Sequence, residues 1–221
     1  MIDTKQRKKD RMKTHARHYM NTRAYNLVMG LSVLYGLVVN MILTSTAYDL
    51  VSNINPTVFI IGYFISALAG TIISHKSSNP FISFIGYNMI CVPIGLLLSI
   101  SLKGVDTSLI VTAIGLTAAV TIIMTIAAVM FPNFFSKLGP TLFITLIALL
   151  VVEIIAIFTG MSTGWIDTIC VVLFSLYIGY DYHVAQQYPK TLDNAIDSSI
   201  DIYLDVINLF IRILSILDKD D

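Results

Sequence analysis

The stretch that decides the fold is "DIYLDVINLFIRIL", residues 201–214. Isoleucine, leucine, valine and phenylalanine give it the composition of a buried or membrane-embedded helix, yet polar side chains interrupt it. Ionisable groups inside a membrane usually face a protein interior or a water-filled cavity, because hydrocarbon does not solvate them. The stretch therefore predicts a helix whose polar side needs partners. The interrupting residues are Asp201, Asp205, Asn208 and Arg212.

The polar side chains of this helix form a narrow stripe. At about 100° per residue they fall within an arc of about 80°. Three interpretations remain open: a helix lying on the membrane surface, a structural seam of hydrogen bonds, and an interior helix whose stripe lines a polar path. Surface helices usually carry a broad face rich in Lys and Arg, so a narrow acidic stripe favours the interior helix. The stripe consists of Asp197, Asp201, Asp205, Asn208, Arg212 and Ser215.

The composition of the whole chain is that of an integral membrane protein. Of its 221 residues 56% are hydrophobic and 13% are charged, whereas a soluble domain usually has about 25% charged residues. A membrane-spanning helix needs about 20 mostly apolar residues. The sequence thus predicts an all-α fold of seven transmembrane helices within residues 27–217. The expected spans are 27–47, 57–74, 81–102, 108–130, 138–158, 165–182 and 198–217.

The charges are segregated along the chain and indicate its orientation. Eight of the 14 basic residues lie in the first 23 positions. Because cytoplasmic segments carry an excess of Lys and Arg, residues 1–26 are expected to form a basic cytoplasmic tail. Binding of nucleic acid or of anionic lipid by this tail is the less favoured interpretation. Seven crossings would then leave the acidic C-terminus, residues 218–221, outside.

Proline interrupts the third expected span. Pro93, in "YNMICVPIGLL", lacks the backbone N–H that an interior helical residue normally donates. A proline in a membrane helix is tolerated when a neighbouring group satisfies the carbonyl that it frees. A bend is therefore expected here, and a gating hinge is the alternative interpretation.

Two aspartates are expected to lie at matching depth. "SLYIGYDYHVAQQ" places Asp181 near the cytoplasmic end of the sixth span, and Asp205 lies about two turns into the seventh from the same side. Two carboxylates in contact cannot both ionise cheaply, so such a pair shares one proton and titrates as a unit. The spacing predicts a proton-operated latch between two helices. The alternative is that Asp181 is an interfacial acid at a helix end.

At these residues the sequence resembles the Bax inhibitor family, also called the transmembrane Bax-inhibitor-motif family, in its bacterial form. The resemblance is carried by "LYIGYDYHVAQQ" and "DIYLDVINLFIRIL", with a weaker echo in "FSKLGPTLF". It implies seven helices with the last one central among the other six. It also implies a calcium leak that pH controls through an aspartyl pair, which falls on Asp181 and Asp205 here.

The resemblance also suggests secondary site residues. In bacterial members an arginine at the end of the second span serves as an alternative partner of the first aspartate, and here "IISHKSSNP" offers His75 or Lys76 instead. Glu153, toward the outer end of the fifth span, is a candidate for the external mouth of a cation path or an ordinary interfacial acid. Calcium prefers oxygen ligands, and its candidate path residues are Asp181, Asp205 and Glu153. Further pore-lining or supporting candidates are Asp197, Asp201, Asn208 and Arg212.

The leading hypothesis is a pH-sensitive calcium leak channel in a bacterial plasma membrane, with calcium, protons and the lipid bilayer as partners and no resident cofactor. The short tail and short loops favour that membrane over an organelle. The alternative is a non-conducting protein that binds a membrane partner and modulates a membrane protease or a stress or cell-death pathway. An enzyme is not expected, because the sequence has no HExxH pair, Gly-rich phosphate loop or nucleophile constellation.

Overall fold

A computed structural model describes residues 19–159 and 164–220, and within these ranges the chain forms helices and no strands. Two helices are single turns and seven are long. In chain order they are α1 (Thr22–Thr46), α2 (Tyr48–Val51), α3 (Pro56–Lys76), α4 (Pro80–Ser101), α5 (Thr107–Met130), α6 (Pro132–Phe135), α7 (Gly139–Thr159), α8 (Gly164–Ala185) and α9 (Leu192–Asp220).

Six of the described helices are long and apolar enough to cross a membrane: α1, α3, α4, α5, α7 and α8. They match the first six expected spans to within a few residues, and the chain is an all-helical, multi-pass membrane protein. Helix α1 begins at Thr22, before the expected start of the first span at residue 27. Residues 1–18 of the expected tail lie outside the described part of the chain.

Helix α9 begins earlier than the expected residue 198, because the Thr191 hydroxyl accepts the Asn194 N–H at 3.1 Å and caps the first turn. Between Leu192 and Leu217 the exposed residues are Leu192 and Ile211 alone. A helix on a membrane surface would instead leave its polar face to water. The charges in residues 198–217 keep α9 out of the set that is apolar enough to cross by composition, so its crossing stays a prediction.

The chain divides into two compact units. Unit 1 contains α1 to α4 and the part of α9 up to Tyr203. Unit 2 contains α5 to α8 and the part of α9 from Leu204 onward. The polar stripe is therefore shared: Asp197 and Asp201 belong to unit 1, and its later members belong to unit 2.

In unit 1, α4 packs against both α1 and α3. Two glycines bring α3 and α4 into backbone contact: a Cβ added at Gly86 would lie 2.6 Å from the Gly70 carbonyl oxygen. Small residues at such crossings let membrane helices approach closely. The close approach also supports Pro93, since the Ser66 hydroxyl of α3 donates to the Met89 carbonyl at 2.7 Å. That carbonyl is the one four residues before the proline, so a neighbouring helix satisfies the group that the proline frees. The bend at Pro93 stays a prediction.

The turns between helices carry the start signals that the sequence contains. Asn55 and Asn79 each accept a hydrogen bond from the first turn of the next helix, and a proline follows each of them at the first helical position. This is the preferred arrangement of cap and proline at a helix start. Gly104 has φ +90° in the turn before α5, a conformation that side chains rarely adopt.

One end of unit 1 is closed by contacts between the start of α1 and the loop before α9. The Met20 N–H donates to the Lys190 carbonyl at 2.7 Å. The Lys190 ammonium lies 4.5 Å from the centre of the Tyr25 ring, and its burial lowers the pKa of that ammonium. The start of α1 and the start of α9 thus lie at the same end of this unit. This agrees with the expected topology, in which six crossings between the two starts return the chain to the same side of the membrane.

The outer faces of the long helices are apolar. Phe64, Ile123 and Ile144 are each more than half exposed. A soluble protein rarely leaves large contiguous apolar surfaces in contact with water. Lipid chains are the natural surroundings of these faces.

Candidate functional site

In unit 2, the segments that carry the family resemblance pack against each other. The Phe135 ring lies against Gly179, and the Tyr180 hydroxyl lies against Gly139. Neither glycine has room for a Cβ. The "FSKLGP" and "IGYD" segments therefore fix one another, and this contact positions Asp181 at the end of α8.

Asp181 and Asp205 lie in the same region of unit 2. Asp205 is 7% exposed, and Asp181 is partly buried. The charges of both aspartates act on the Tyr177 hydroxyl of α8, so all three side chains lie within electrostatic range. The arrangement combines one buried acid, Asp205, with an acid and a phenol that are each partly buried.

In unit 1, the first half of the stripe contacts the end of α3. Asp197 is 1% exposed, and its Oδ1 accepts a hydrogen bond from the Ser74 hydroxyl. His75 lies between two carboxylates: its Nδ1 is 3.8 Å from Asp197 Oδ2, and its Nε2 is 3.8 Å from Asp201 Oδ1. These distances are those of an ion pair rather than a hydrogen bond, and the attraction depends on a protonated imidazole.

Asp193 is a buried carboxylate that the sequence analysis overlooked. It accepts a hydrogen bond from the Ser83 hydroxyl of α4 at 2.7 Å. It stands four residues before Asp197, so the same 100° rule places it on the same side of the helix. The spacing of the stripe could therefore have identified Asp193, but the predicted stripe began at Asp197.

One residue in the second half of the stripe, Arg212, belongs to a network of four charges in unit 2. The Arg212 guanidinium bridges two helices: its Nη1 donates to Asp167 Oδ1 of α8 at 2.8 Å, and its Nη2 pairs with Glu153 Oε1 of α7. Asp167 is 3% exposed and also accepts from the Ser215 hydroxyl at 2.9 Å and from Lys219 Nζ at 2.7 Å. We call Glu153, Asp167, Arg212 and Lys219 the outer charge network, since the expected topology puts these helix ends outside.

Two expected site residues have local surroundings that are not specific to a pore. The Asn208 amide donates to the Leu204 carbonyl of its own helix at 2.7 Å. Lys76 is the last residue of α3 and is exposed. A pore-lining role for Asn208 stays a prediction. So does a role for Lys76 or His75 as the alternative partner of Asp181.

Helix α9 also forms contacts on the side away from the stripe. Tyr203 accepts a hydrogen bond from the Asn40 amide of α1 at 2.7 Å and packs edge-on against Tyr87, with ring centres 5.4 Å apart. These contacts join α1, α4 and α9 within unit 1. Hydrogen bonds between membrane helices contribute to packing even where no polar path exists.

The chemistry of these groups is acid–base and electrostatic. Across residues 19–159 and 164–220, no three His, Cys, Asp or Glu side chains are grouped so that they could hold a metal ion together. Both cysteines, Cys91 and Cys170, are buried and free. What the described groups can do is bind protons, pair with one another and attract cations weakly through carboxylate oxygens.

Comparison with known proteins gives consistent matches. The family model Bax1-I, described as Inhibitor of apoptosis-promoting Bax1, matches residues 16–221. An uncharacterized protein of Helicobacter pylori strain 26695 is 38% identical over 108 residues, which cover 48% of this chain and 46% of the relative. Bax inhibitor 1 of Schizosaccharomyces pombe is 34% identical over 128 residues, which cover 56% and 47%. The chain spans about half the length of the curated relatives it matches.

Proposed function

The chain belongs to the Bax inhibitor family, and on that premise we propose that it is a non-enzymatic, pH-sensitive calcium leak channel. In this proposal Asp181 and Asp205 share a proton and form the latch between α8 and α9. Calcium is the transported ion. The channel sits in a bacterial plasma membrane with the N-terminus in the cytoplasm, and α9 is the seventh crossing.

The observation that carries the proposal is the position of the two aspartates. Asp205 is a nearly buried acid in the middle of α9, and its carboxyl group and that of Asp181 both lie within electrostatic range of the Tyr177 hydroxyl. An acid so placed costs free energy unless a proton or a partner compensates it. A proton shared with a second carboxylate supplies both.

The expected effect of pH follows from the charges. While the proton is held, one hydrogen bond joins the two helices and a single negative charge is present. When the proton leaves, two anions face each other. At about 4 Å and an effective dielectric constant of about 20, their repulsion is about 4 kcal/mol. Coupling of about 1–3 kcal/mol is typical of allosteric transitions, so rising pH should favour the leaky state.

A leak does not require a tight binding site. Conduction needs sites that are weak enough for the ion to leave. The stripe of α9 and Glu153 provide scattered carboxylate oxygens rather than a cage. Such a distribution suits passage of a hard cation more than its storage.

The description of the family, Inhibitor of apoptosis-promoting Bax1, is consistent with a second function. In it the protein does not conduct ions but binds a membrane partner and modulates a membrane protease or a stress or cell-death pathway. Calcium entry into liposomes separates the two. Purified wild-type protein should let calcium enter, and entry should rise from mildly acidic to mildly alkaline pH, relative to liposomes without protein. Entry equal to that of protein-free liposomes at every pH would contradict the channel and leave the interaction protein.

A further inference from the structure

The outer charge network is balanced, and one residue maintains the balance. Two acids, Glu153 and Asp167, face two bases, Arg212 and Lys219. Arg212 contacts both acids, whereas Lys219 contacts Asp167. Without the guanidinium, the network would keep both carboxylates and one base that is 49% exposed.

The position of Arg212 makes its charge effective. Its side chain and that of Glu153 are 24% and 23% exposed, so both are mostly enclosed by protein. Charges are screened less in such surroundings than at an open surface. Walls of low dielectric constant also focus the field of a charged cleft on ions that approach it.

We propose that Arg212 is a selectivity residue, a tethered cation that neutralises Glu153 and Asp167 and thereby limits the entry of divalent cations at the outer end of unit 2. This inference rests on the proposed function, because it assigns a second control point to the same leak. The aspartyl latch responds to pH, while the outer charge network sets the rate at which cations arrive. Neither residue of the latch belongs to this network.

The proposal predicts opposite signs for two substitutions that break the same ion pair. Arg212→Gln leaves one excess negative charge and should raise calcium entry about tenfold at low salt, the lower end of electrostatic focusing. Glu153→Gln leaves one excess positive charge and should lower calcium entry by a similar factor. Neither should move the pH midpoint of the leak, because the latch is unchanged.

A purely structural ion pair gives a different pattern. If Arg212 and Glu153 only held α7 and α9 together, either substitution would remove the same bond and shift calcium entry in the same direction. The double variant Arg212→Gln/Glu153→Gln sharpens the contrast, since it leaves Asp167 balanced by Lys219. Electrostatic control predicts near-wild-type entry for the double variant, whereas a structural bond predicts entry no closer to wild type than either single variant.

Three further variants serve as controls for misfolding and for general effects of charge. Arg212→Lys keeps the charge and should keep entry near that of the wild type. Lys219→Gln changes a more exposed member of the network and should raise entry by a smaller factor than Arg212→Gln. Lys103→Gln removes an exposed positive charge outside the network, beside Tyr48, and should leave entry unchanged.

The measurement is calcium entry into liposomes that hold equal amounts of each purified protein, at low and high choline chloride. The differences between variants should shrink with salt, as the Debye length falls from about 30 Å at 0.01 M to about 3 Å at 1 M. Changes in the same direction for Arg212→Gln and Glu153→Gln, with wild-type entry intact, overturn the proposal for Arg212 alone. No entry with any protein, wild type included, overturns the proposed channel and this inference with it.

Discussion

In the apolar interior of unit 1, single hydroxyl groups donate hydrogen bonds to buried oxygen atoms. The Ser66 hydroxyl satisfies the Met89 carbonyl that Pro93 leaves without its usual donor. The Ser83 hydroxyl donates to Asp193 in the same way. Each donor lies on a different helix from its acceptor, so each bond holds the packing of two helices as well as one buried group.

Ser66→Ala should therefore destabilise the protein. The Met89 carbonyl would lose its donor, at a cost of about 0.5–1.5 kcal/mol. Thermal unfolding in detergent should show a lower midpoint for this variant. Ser45→Ala is the matched control, because the Ser45 hydroxyl bonds to the Ile42 carbonyl, which also accepts from Thr46. Equal midpoints for the wild type and Ser66→Ala would show that the bond contributes nothing.

The polar residues of α9 could be predicted from the sequence, but their partners could not. The 100° rule placed six polar residues on one side of the last helix, and extended by four residues it also includes Asp193. The partners of these residues were not predictable in this way. Ser74 and Ser83 are ordinary serines in apolar helices, and the Arg212 contact to Asp167 spans 45 positions of sequence. Such contacts depend on how helices pack, which no local pattern records.

Helices are the scale at which the sequence was most informative. Apolar length predicted six spans, and the described residues form six helices at these positions that are long and apolar enough to cross a membrane. A membrane-spanning segment must satisfy all its backbone groups internally, so an apolar run of this length predicts a helix. Helix ends were less predictable, since they depend on caps. Helix α9 starts after Thr191, and α1 starts after Asn21, whose side chain accepts the Ala24 N–H at 2.7 Å. Both helices extend beyond the apolar runs from which they were predicted.

The crossing of α3 and α4 gives a prediction at this scale. Gly86→Ala would place a methyl group 2.6 Å from the Gly70 carbonyl oxygen, so the two backbones would have to separate. Overpacking of this kind costs on the order of 1–3 kcal/mol. Gly62→Ala, in the partner helix α3, is the control, because nothing lies within 4 Å of its added Cβ. Thermal unfolding in detergent should show a loss for Gly86→Ala only. A similar midpoint for both variants would contradict the tight crossing.

At the scale of the whole molecule, the segregated charges and the helix order give the expected topology. The bond between Met20 and Lys190 puts the starts of α1 and α9 at one end of unit 1. That end should be cytoplasmic, because eight of the 14 basic residues lie in the first 23 positions, before α1 or in its first turn. If α9 then crosses, the chain must finish on the opposite side.

A tag placed after Asp221 tests this topology. In intact cells it should be accessible to an impermeant reagent from the outside, and a tag before Met1 should be protected. Lysis should expose both tags equally, which controls for reactivity. A C-terminal tag that is accessible from the cytoplasm alone would show that α9 does not cross, and would return the surface or re-entrant helix to consideration.

The fold class and family were readable from the sequence because they depend on apolar length and on a few residues near the C-terminus. The division into two units was not, since a continuous helix such as α9 gives no local sign that its halves pack in different units. The Asp181–Asp205 pair was inferred from matching depth and from the family. Its role in gating depends on a proton, and neither a sequence nor a single conformation displays the exchange of a proton.

The most direct test of the aspartyl latch is the pH dependence of calcium entry into liposomes that contain the wild type, Asp181→Asn, Asp205→Asn or the double variant. Asp49→Asn, a change at an exposed acid, serves as the control. We expect entry to rise with pH in the wild type and the control. Each latch variant should have a flattened pH response, and the double variant should differ little from either single variant, because each change removes the same repulsion. If both single variants kept the pH dependence of the wild type, the shared-proton latch would be wrong.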